Sequence, residues 1–465
     1  MKSRDLAALG IPQGPVRDLA LKTVGSAAKG GLDPRDIRER LEAVVENPAA
    51  LTGDAIFGKL AEELDRIWKA QARYEEREDP APYHQWGSDL EAGAVNQMVN
   101  ACKLPVAVSG ALMPDAHQGY GLPIGGVLAT ENCVIPYAVG VDIACRMKMT
   151  VLDLPVSTLE EDEGRLKSAI DRETRFGIGA SFERKRDHDV MDADWTITQT
   201  TKENKDKAWK QLGTSGSGNH FVEFGTLTLE EDDLGLEKGT WLALLSHSGS
   251  RGTGAAVAGY YSRLAMHRHP ELPQELKHLA WLDLESEEGD AYWRAMELMG
   301  CYAAANHALI HREIARNLGV EVLADIENHH NFAWKEEHGG RELVVHRKGA
   351  TPAGAGVLGI IPGSMGTPGY VIRGKGKPES LLSASHGAGR KMSRTAAKKK
   401  FNWKESERFL KKRGVKLMSA GLDEVPMAYK DIDEVMDAQS DLVQKVARFD
   451  PRLVKMAPAG ERPED

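Results

Sequence analysis

The chain holds no apolar run near the roughly 20 residues that span a bilayer, and its opening MKSRDLAALGIPQG has no stretch of signal-peptide length. Neither membrane insertion nor secretion is expected. Cysteine is scarce, and the four present (Cys102, Cys133, Cys145 and Cys301) fall in no disulfide-like framework, which points to a reducing, cytoplasmic setting. Two common catalytic signatures are missing as well. There is no G-x-x-x-x-G-K-[ST] loop, which excludes a Walker-type nucleotide site. His307 and His311 are spaced i, i+4, but Ala308 stands where the zinc pattern H-E-x-x-H needs Glu. That pair reads as helix-surface or packing residues.

Over 465 residues the chain is 41% hydrophobic and 28% charged, the balance of a globular protein with a large buried core. The formal net charge of -9 argues against a polyanionic partner until the distribution is read. Between Arg390 and Lys416 stand twelve Lys or Arg against only Glu405 and Glu407. A charge run alone is usually a solvated helix face. This one begins inside a segment rich in Gly and His, which raises the phosphate-binding reading.

Residues 1–80 carry apolar positions at helical spacing in RDIRERLEAVVENP and FGKLAEELDRIWKAQARYEER, with Asp33-Pro34 as an N-cap followed by Pro. A helical N-terminal extension without catalytic groups is expected there. From about Gln97 the texture becomes short apolar runs broken by glycine, interleaved with helices such as DAYWRAMELMGCYAAANHALIHREIARN. The expectation is an α+β fold: one large mixed domain over 97–456, with Gly-rich loops at strand ends, and a flexible tail at 457–465. DIDEVMDAQSDLVQKVARF is expected to be a last helix, packing Ile432, Val435, Met436, Leu442, Val443 and Val446 on the core.

In MPDAHQGYGLPIGGVLATENCVIPYAVGVDIACRM, Asp142 and Cys145 are close enough in a turn to hold one metal ion or an adjacent pair. A thiolate beside a carboxylate suits manganese, zinc or iron better than magnesium. His220, His247 and His330 sit at loop-like sites near Gly or Asn. Each alone would more often be a hydrogen-bonded structural histidine. Together with Asp142 and Cys145 they make a ligand set for two ions, a common clamp for a phosphoryl group. PGSMG and SHGAG place backbone N–H groups in tight turns suited to phosphate oxygens. His386, between Ser385 and Gly387, is a competent nucleophile toward phosphorus, and Arg390 can balance charge.

Taken together, MPDAHQGYGLPIGG, VGVDIAC, GSGNHFVE, HSGSRG, HHN, HRKGA, IPGSMGTP, SASHGAGRKMSR and AYKDIDEVM resemble the RtcB family of RNA ligases, in the family's order and over roughly residues 97–456. The resemblance implies a GTP- and manganese-dependent ligase that joins an RNA 3′-phosphate or 2′,3′-cyclic phosphate end to a 5′-hydroxyl end. It assigns His386 as the nucleophile that takes guanylate before passing it to the RNA 3′-phosphate. It assigns Cys145 as the bridge between two Mn2+ ions, with Asp142 and His220 completing one site and His247 and His330 the other. Of His329 and His330, the second precedes Asn331 as in the family's H-N pair.

For the nucleotide, the matching positions are Asn219, His220, Phe221, Val222, Glu223, His330, Asn331, Pro362, Gly363, Ser364, Met365, His386, Gly387, Ala388 and Gly389, with Tyr429 near the base. Asn219, Arg251 and Arg390 match RNA-phosphate contacts. An archease-like activator is a further partner of some relatives. Three departures stand out. Arg146 replaces the common Gly after the bridging cysteine and would lie beside the metals; Gly369 replaces Ser; and Lys455, the counterpart of a guanine-reaching lysine, is followed by MAPAGERPED. Two other readings of the same residues are a metal-dependent RNA phosphatase or nuclease and a non-catalytic RNA-binding protein. The first leaves the PGSMG loop and the basic run less well explained, and the second leaves the ligand set without a purpose.

Overall fold

The computed structural model describes residues 1–71 and 76–460. The N-terminal segment forms helices Ser3–Ala8, Pro15–Lys29, Pro34–Glu46 and Gly58–Gln71. Asp33 caps the third as its sequence suggests, accepting from the N–H groups of Arg35 and Asp36. Ile37, Leu41 and Val44 recur on one face and join Leu6, Ile11, Leu60 and Leu64 in a core of their own. The helical reading of that stretch otherwise ends at a short strand, Tyr83–Gln85; residues 72–75 and 461–465, and with them most of the expected tail, lie outside the described residues.

Two sheets carry the remainder. The larger runs, edge to edge, through strands Leu358–Ile361, Gly369–Gly374, Val443–Met456, Phe221–Leu229, Gly239–Ser248, Arg146–Leu152 and Val322–His329, each antiparallel to the next. The smaller is ordered Tyr83–Gln85, Ala107–His117, Ile124–Thr130, Arg341–Lys348 and Asn331–His338. The long helix Glu287–Leu318 covers one face of the larger sheet, packing Ile310, Ile314 and Leu318 against Val222, Phe224, Leu242 and Leu244. Ser286 caps its start and Gly319, in the left-handed region, ends it. The architecture is the α+β fold expected, with a single large domain carrying both sheets. Among the described residues no helix is long and apolar enough to cross a membrane.

One expected element is wrong in kind. Only Ile432–Asp437 of the last helix is helical, and Val443–Met456 is a strand with partners on both sides. Val443, Ala447, Phe449, Pro451 and Leu453 alternate inward along it. The apolar positions Leu442, Val443 and Val446 fit either period, and pairing with two neighbouring strands decides the matter.

Candidate active site

Strand alternation determines what each central residue can face. In Arg146–Leu152, Met147, Met149 and Val151 point to one side with Ala243 and Leu245, whereas Arg146, Lys148 and Thr150 point to the other. His247 lies on the methionine side and meets Cys145, which precedes the strand. Arg146 therefore does not lie beside the metal ligands, contrary to expectation. It is buried against His329, to whose Nδ1 it donates at 3.2 Å, with Glu327 at 3.9 Å. The same side holds His307 and His311, which are buried packing residues: Ser246 Oγ is 2.6 Å from His307 Nδ1 and 2.8 Å from His311 Nε2.

On the opposite side the five candidate ligands converge. Asp142, Cys145 and His220 bring one ligand atom each within 4.8 Å of one another, and Cys145, His247 and His330 do the same. Cys145 belongs to both groups. Its Sγ is 3.1 Å from His247 Nε2 and 3.5 Å from His220 Nε2, and His247 Nε2 is 3.2 Å from His330 Nε2. His247 Nδ1 donates to the Asn219 carbonyl at 3.1 Å, so its Nε2 is a bare lone pair. Burial holds the His247 imidazole neutral, pushing it down to about 3, and pushes His330 well below its usual range. Burial works to raise the Asp142 carboxyl, but the His220 hydrogen bond and the charges of His220 and Arg251 outweigh it, and the net shift is downward. Three imidazoles, a carboxylate and one shared sulfur, all buried with their donor atoms facing one another, fit two divalent ions of the manganese, iron or zinc type.

These groups open into a cavity of about 550 Å³ lined by Asn219, His220, Phe221, Glu223, Asn331, residues 362–365 and 386–390, and Tyr429. Most of the expected nucleotide positions thus share one space. Gly369 lines it too. Val222 does not: its side chain turns into the core beneath the long helix. Lys455 is also outside the lining, its ammonium pairing with Asp171. Arg251 sits buried behind the candidate ligands, with Nη1 3.0 Å from His220 Nδ1. Arg390 lines the cavity as expected, and its guanidinium donates to Tyr429 Oη at 3.2 Å and to the Asp423 carbonyl at 2.7 Å.

His386 follows the short strand Ser383–Ser385, and its ring lies 5.0 Å from that of His330, centroid to centroid. Its Nδ1 donates to Asp115 Oδ2 at 2.7 Å; the same oxygen accepts from the backbone N–H of His386 at 3.1 Å and of Gly387 at 3.3 Å. Asp115 is wholly buried. Burial works to raise its carboxyl, and the His386 hydrogen bond and charge overcome it, so that it is held below the usual range. The effect is to place the proton on Nδ1 and leave Nε2 free, as a nucleophile requires. Asp115 was not singled out in the sequence, although MPDAHQGYG contains it. Nor was Lys348 of HRKGA, buried at the cavity wall and pushed down to about 7 by burial, nor Asp423 and Glu424, which pair with Arg394.

A buried donor set suited to two cations, an imidazole oriented by a buried carboxylate and glycine turns share one cavity, the arrangement of an enzyme of phosphate chemistry. The family model described as tRNA-splicing ligase RtcB matches residues 97–456, and the chain belongs to that family. It is 39% identical over 399 residues to the RNA-splicing ligase RtcB of Escherichia coli (strain K12), a match covering 79% of this chain and 95% of that protein. It is 33% identical over 436 residues to the tRNA-splicing ligase RtcB of Nanoarchaeum equitans, covering 77% and 90%. The RNA-splicing ligase RtcB of Mycobacterium tuberculosis is likewise 33% identical over 436 residues, covering 76% of this chain and 98% of the relative.

Proposed function

We propose that this protein is an RNA ligase of repair or tRNA splicing that joins 3′-phosphate or 2′,3′-cyclic phosphate ends to 5′-hydroxyl ends through a guanylated His386, with GTP and two Mn2+ ions. The carrying observation is that His386, which lines the same cavity as both candidate ligand groups, has its Nδ1 2.7 Å from the buried Asp115 carboxylate. A hydrolase could use the same ligand groups to activate water, with His386 as acid or base, but that reading leaves the glycine turn at 362–365 and the basic run after Arg390 less well explained.

In this reading His386 Nε2 forms a bond to the α-phosphorus of GTP while the bond to pyrophosphate breaks. Asp115 holds the Nδ1 proton and balances the positive charge that develops on the ring. An oxygen of the RNA 3′-phosphate then displaces His386, and the 5′-hydroxyl attacks the activated RNA phosphorus and releases GMP. Bound divalent ions would supply neutralisation of phosphate oxygens, held by Asp142, Cys145, His220, His247 and His330. Backbone N–H groups of Gly363, Met365, Ala388 and Gly389 offer further donors at the wall. Glu223, whose carboxyl burial pushes well up, offers a polar contact to the donor edge of guanine in the enclosed end of the cavity.

The test is incubation with manganese and α-labelled GTP. An acid-labile label on the protein is expected, absent in His386→Ala. No label at saturating GTP would count against ligation and leave the hydrolase reading.

A further inference from the structure

Tyr120 is 67% exposed, more than any other large apolar or aromatic side chain among the described residues, and it lines the same cavity as His386. A single exposed ring is ordinarily unremarkable on a protein surface. This one is presented by a segment pinned on every side. Gln118 N–H donates to Glu91 Oε2 at 2.9 Å; the Gly119 N–H and carbonyl are both bonded to the Gln97 amide, at 3.0 and 2.6 Å. The Tyr120 carbonyl accepts from Lys348 Nζ. Gly121, at φ +70°, packs so close to the next element that a Cβ there would lie 2.8 Å from the His278 carbonyl oxygen. The backbone is thus held firmly while the ring is left out.

Among the described residues the ring's one aromatic neighbour is His278, met edge-on at 5.6 Å, and His278 in turn meets Tyr137 edge-on at 4.6 Å. An edge contact steadies Tyr120 and leaves its faces open. The place is also specific. Lys348, which holds the Tyr120 carbonyl, is followed by Gly349, where a Cβ would lie 3.1 Å from His386 Cε1. Part of the cavity wall is buried, at Glu223, Met365, Phe449 and Met456, and suits a mononucleotide base. Gln118 and Tyr120 belong to its exposed part, together with Glu91 and Ser393, where a polymer can leave to solvent.

We infer that Tyr120 is a stacking platform for the nucleobase next to the RNA end that reaches His386. The inference rests on the RNA-joining function proposed above. Stacking on an aromatic face tolerates any base, which lets such a platform position an end without reading its sequence.

The experiment titrates a fluorescein-labelled oligoribonucleotide bearing a 3′-phosphate against the manganese-loaded wild type and Tyr120→Ala, Tyr120→Phe and Tyr120→Trp, with GTP labelling followed on the same proteins. Tyr120→Ala is expected to weaken oligonucleotide binding about 10-fold, with Phe and Trp within about twofold of the wild type. The GTP concentration giving half-maximal labelling should not move. Equal binding by Tyr120→Ala, or a loss in Phe and Trp as large as in Ala, overturns the platform. So does a rise in the half-saturating GTP concentration, which would put the ring on the mononucleotide. If the wild type binds RNA but takes no label, and Ala still binds more weakly, the platform stands and the ligase reading falls.

Discussion

Replacing Asp115 by Asn tests the central geometry, because the amide preserves shape and removes charge. Asp115 Oδ2 accepts three hydrogen bonds, from the backbone N–H of His386 and Gly387 and from His386 Nδ1 at 2.7 Å. An amide oxygen in that place keeps all three contacts but makes them neutral. A hydrogen bond to a charged partner contributes about 1.5–3 kcal/mol, a neutral one about 1 kcal/mol. The difference of about 1–2 kcal/mol corresponds to a loss of about 5- to 30-fold in the rate of guanylate transfer to His386. If the amide instead turns its NH2 toward the ring, the proton is forced onto Nε2, and the loss is on the order of 10⁴, as when an orienting carboxylate is replaced beside other catalytic histidines. The assay is single-turnover labelling with α-labelled GTP at saturating nucleotide, which product release cannot mask. Metal content is measured alongside and should be unchanged, since Asp115 belongs to neither ligand group. A rate within twofold of the wild type, with both ions retained, would refute the orienting role.

Three further outcomes are expected. Cys145→Ala should lower bound manganese from about two ions per chain to none after dialysis, measured by elemental analysis, because one sulfur serves both groups; retention of two ions would show that it does not bridge. Arg146→Met should leave manganese content and GTP labelling within about twofold of the wild type, since its side chain is on the far side of the sheet; lost metal would mean that the strand alternation is misassigned. Lys348→Met should change how stability depends on pH. Burial holds the folded-state amine at about 7 against 10.5 for the free group, so between those values the unfolded chain carries a proton that the folded one has released. Wild-type stability should therefore rise with pH from about 7 to 10.5, and this rise should be missing from Lys348→Met in thermal melts; parallel curves would contradict it.

The three histidines of the candidate ligand set stand out in the sequence because each lies near Gly or Asn next to an apolar run, where backbones turn and side chains converge, and Asp142 and Cys145 because they share one turn. The resemblance to the family suggested a role for each. What could not be read was which way a strand residue points. Arg146 follows Cys145 directly, yet period-2 alternation sends it to the other side of the sheet, beneath the long helix. Val222 fails for the same reason. The segment after Asp437 carried apolar spacing compatible with a helix, and its strand character came from two partners remote in sequence. Asp115 was hidden differently: a lone Asp in an apolar run has no local signature of pairing with a histidine 271 positions away.

The topology also ties the candidate metal ligands to His386 through backbone. Val322–His329 belongs to the larger sheet and Asn331–His338 to the smaller, so His330 is the single residue by which the chain passes from one to the other. Its N–H donates to the Cys145 carbonyl at 3.0 Å, and its own carbonyl accepts from Ala350 N–H at 3.1 Å. Ala350 is paired in turn with Ser385, the residue before His386. An unbroken path of backbone pairing therefore runs from Cys145 through His330 to the residue before His386. Ordered backbone of this kind fixes a reacting geometry more firmly than side-chain contacts on mobile loops. Moving the backbone of His330 against that of His386 would break these bonds, so a larger or differently shaped end is more easily admitted on the exposed side of the cavity, where Gln118, Tyr120 and Ser393 meet solvent.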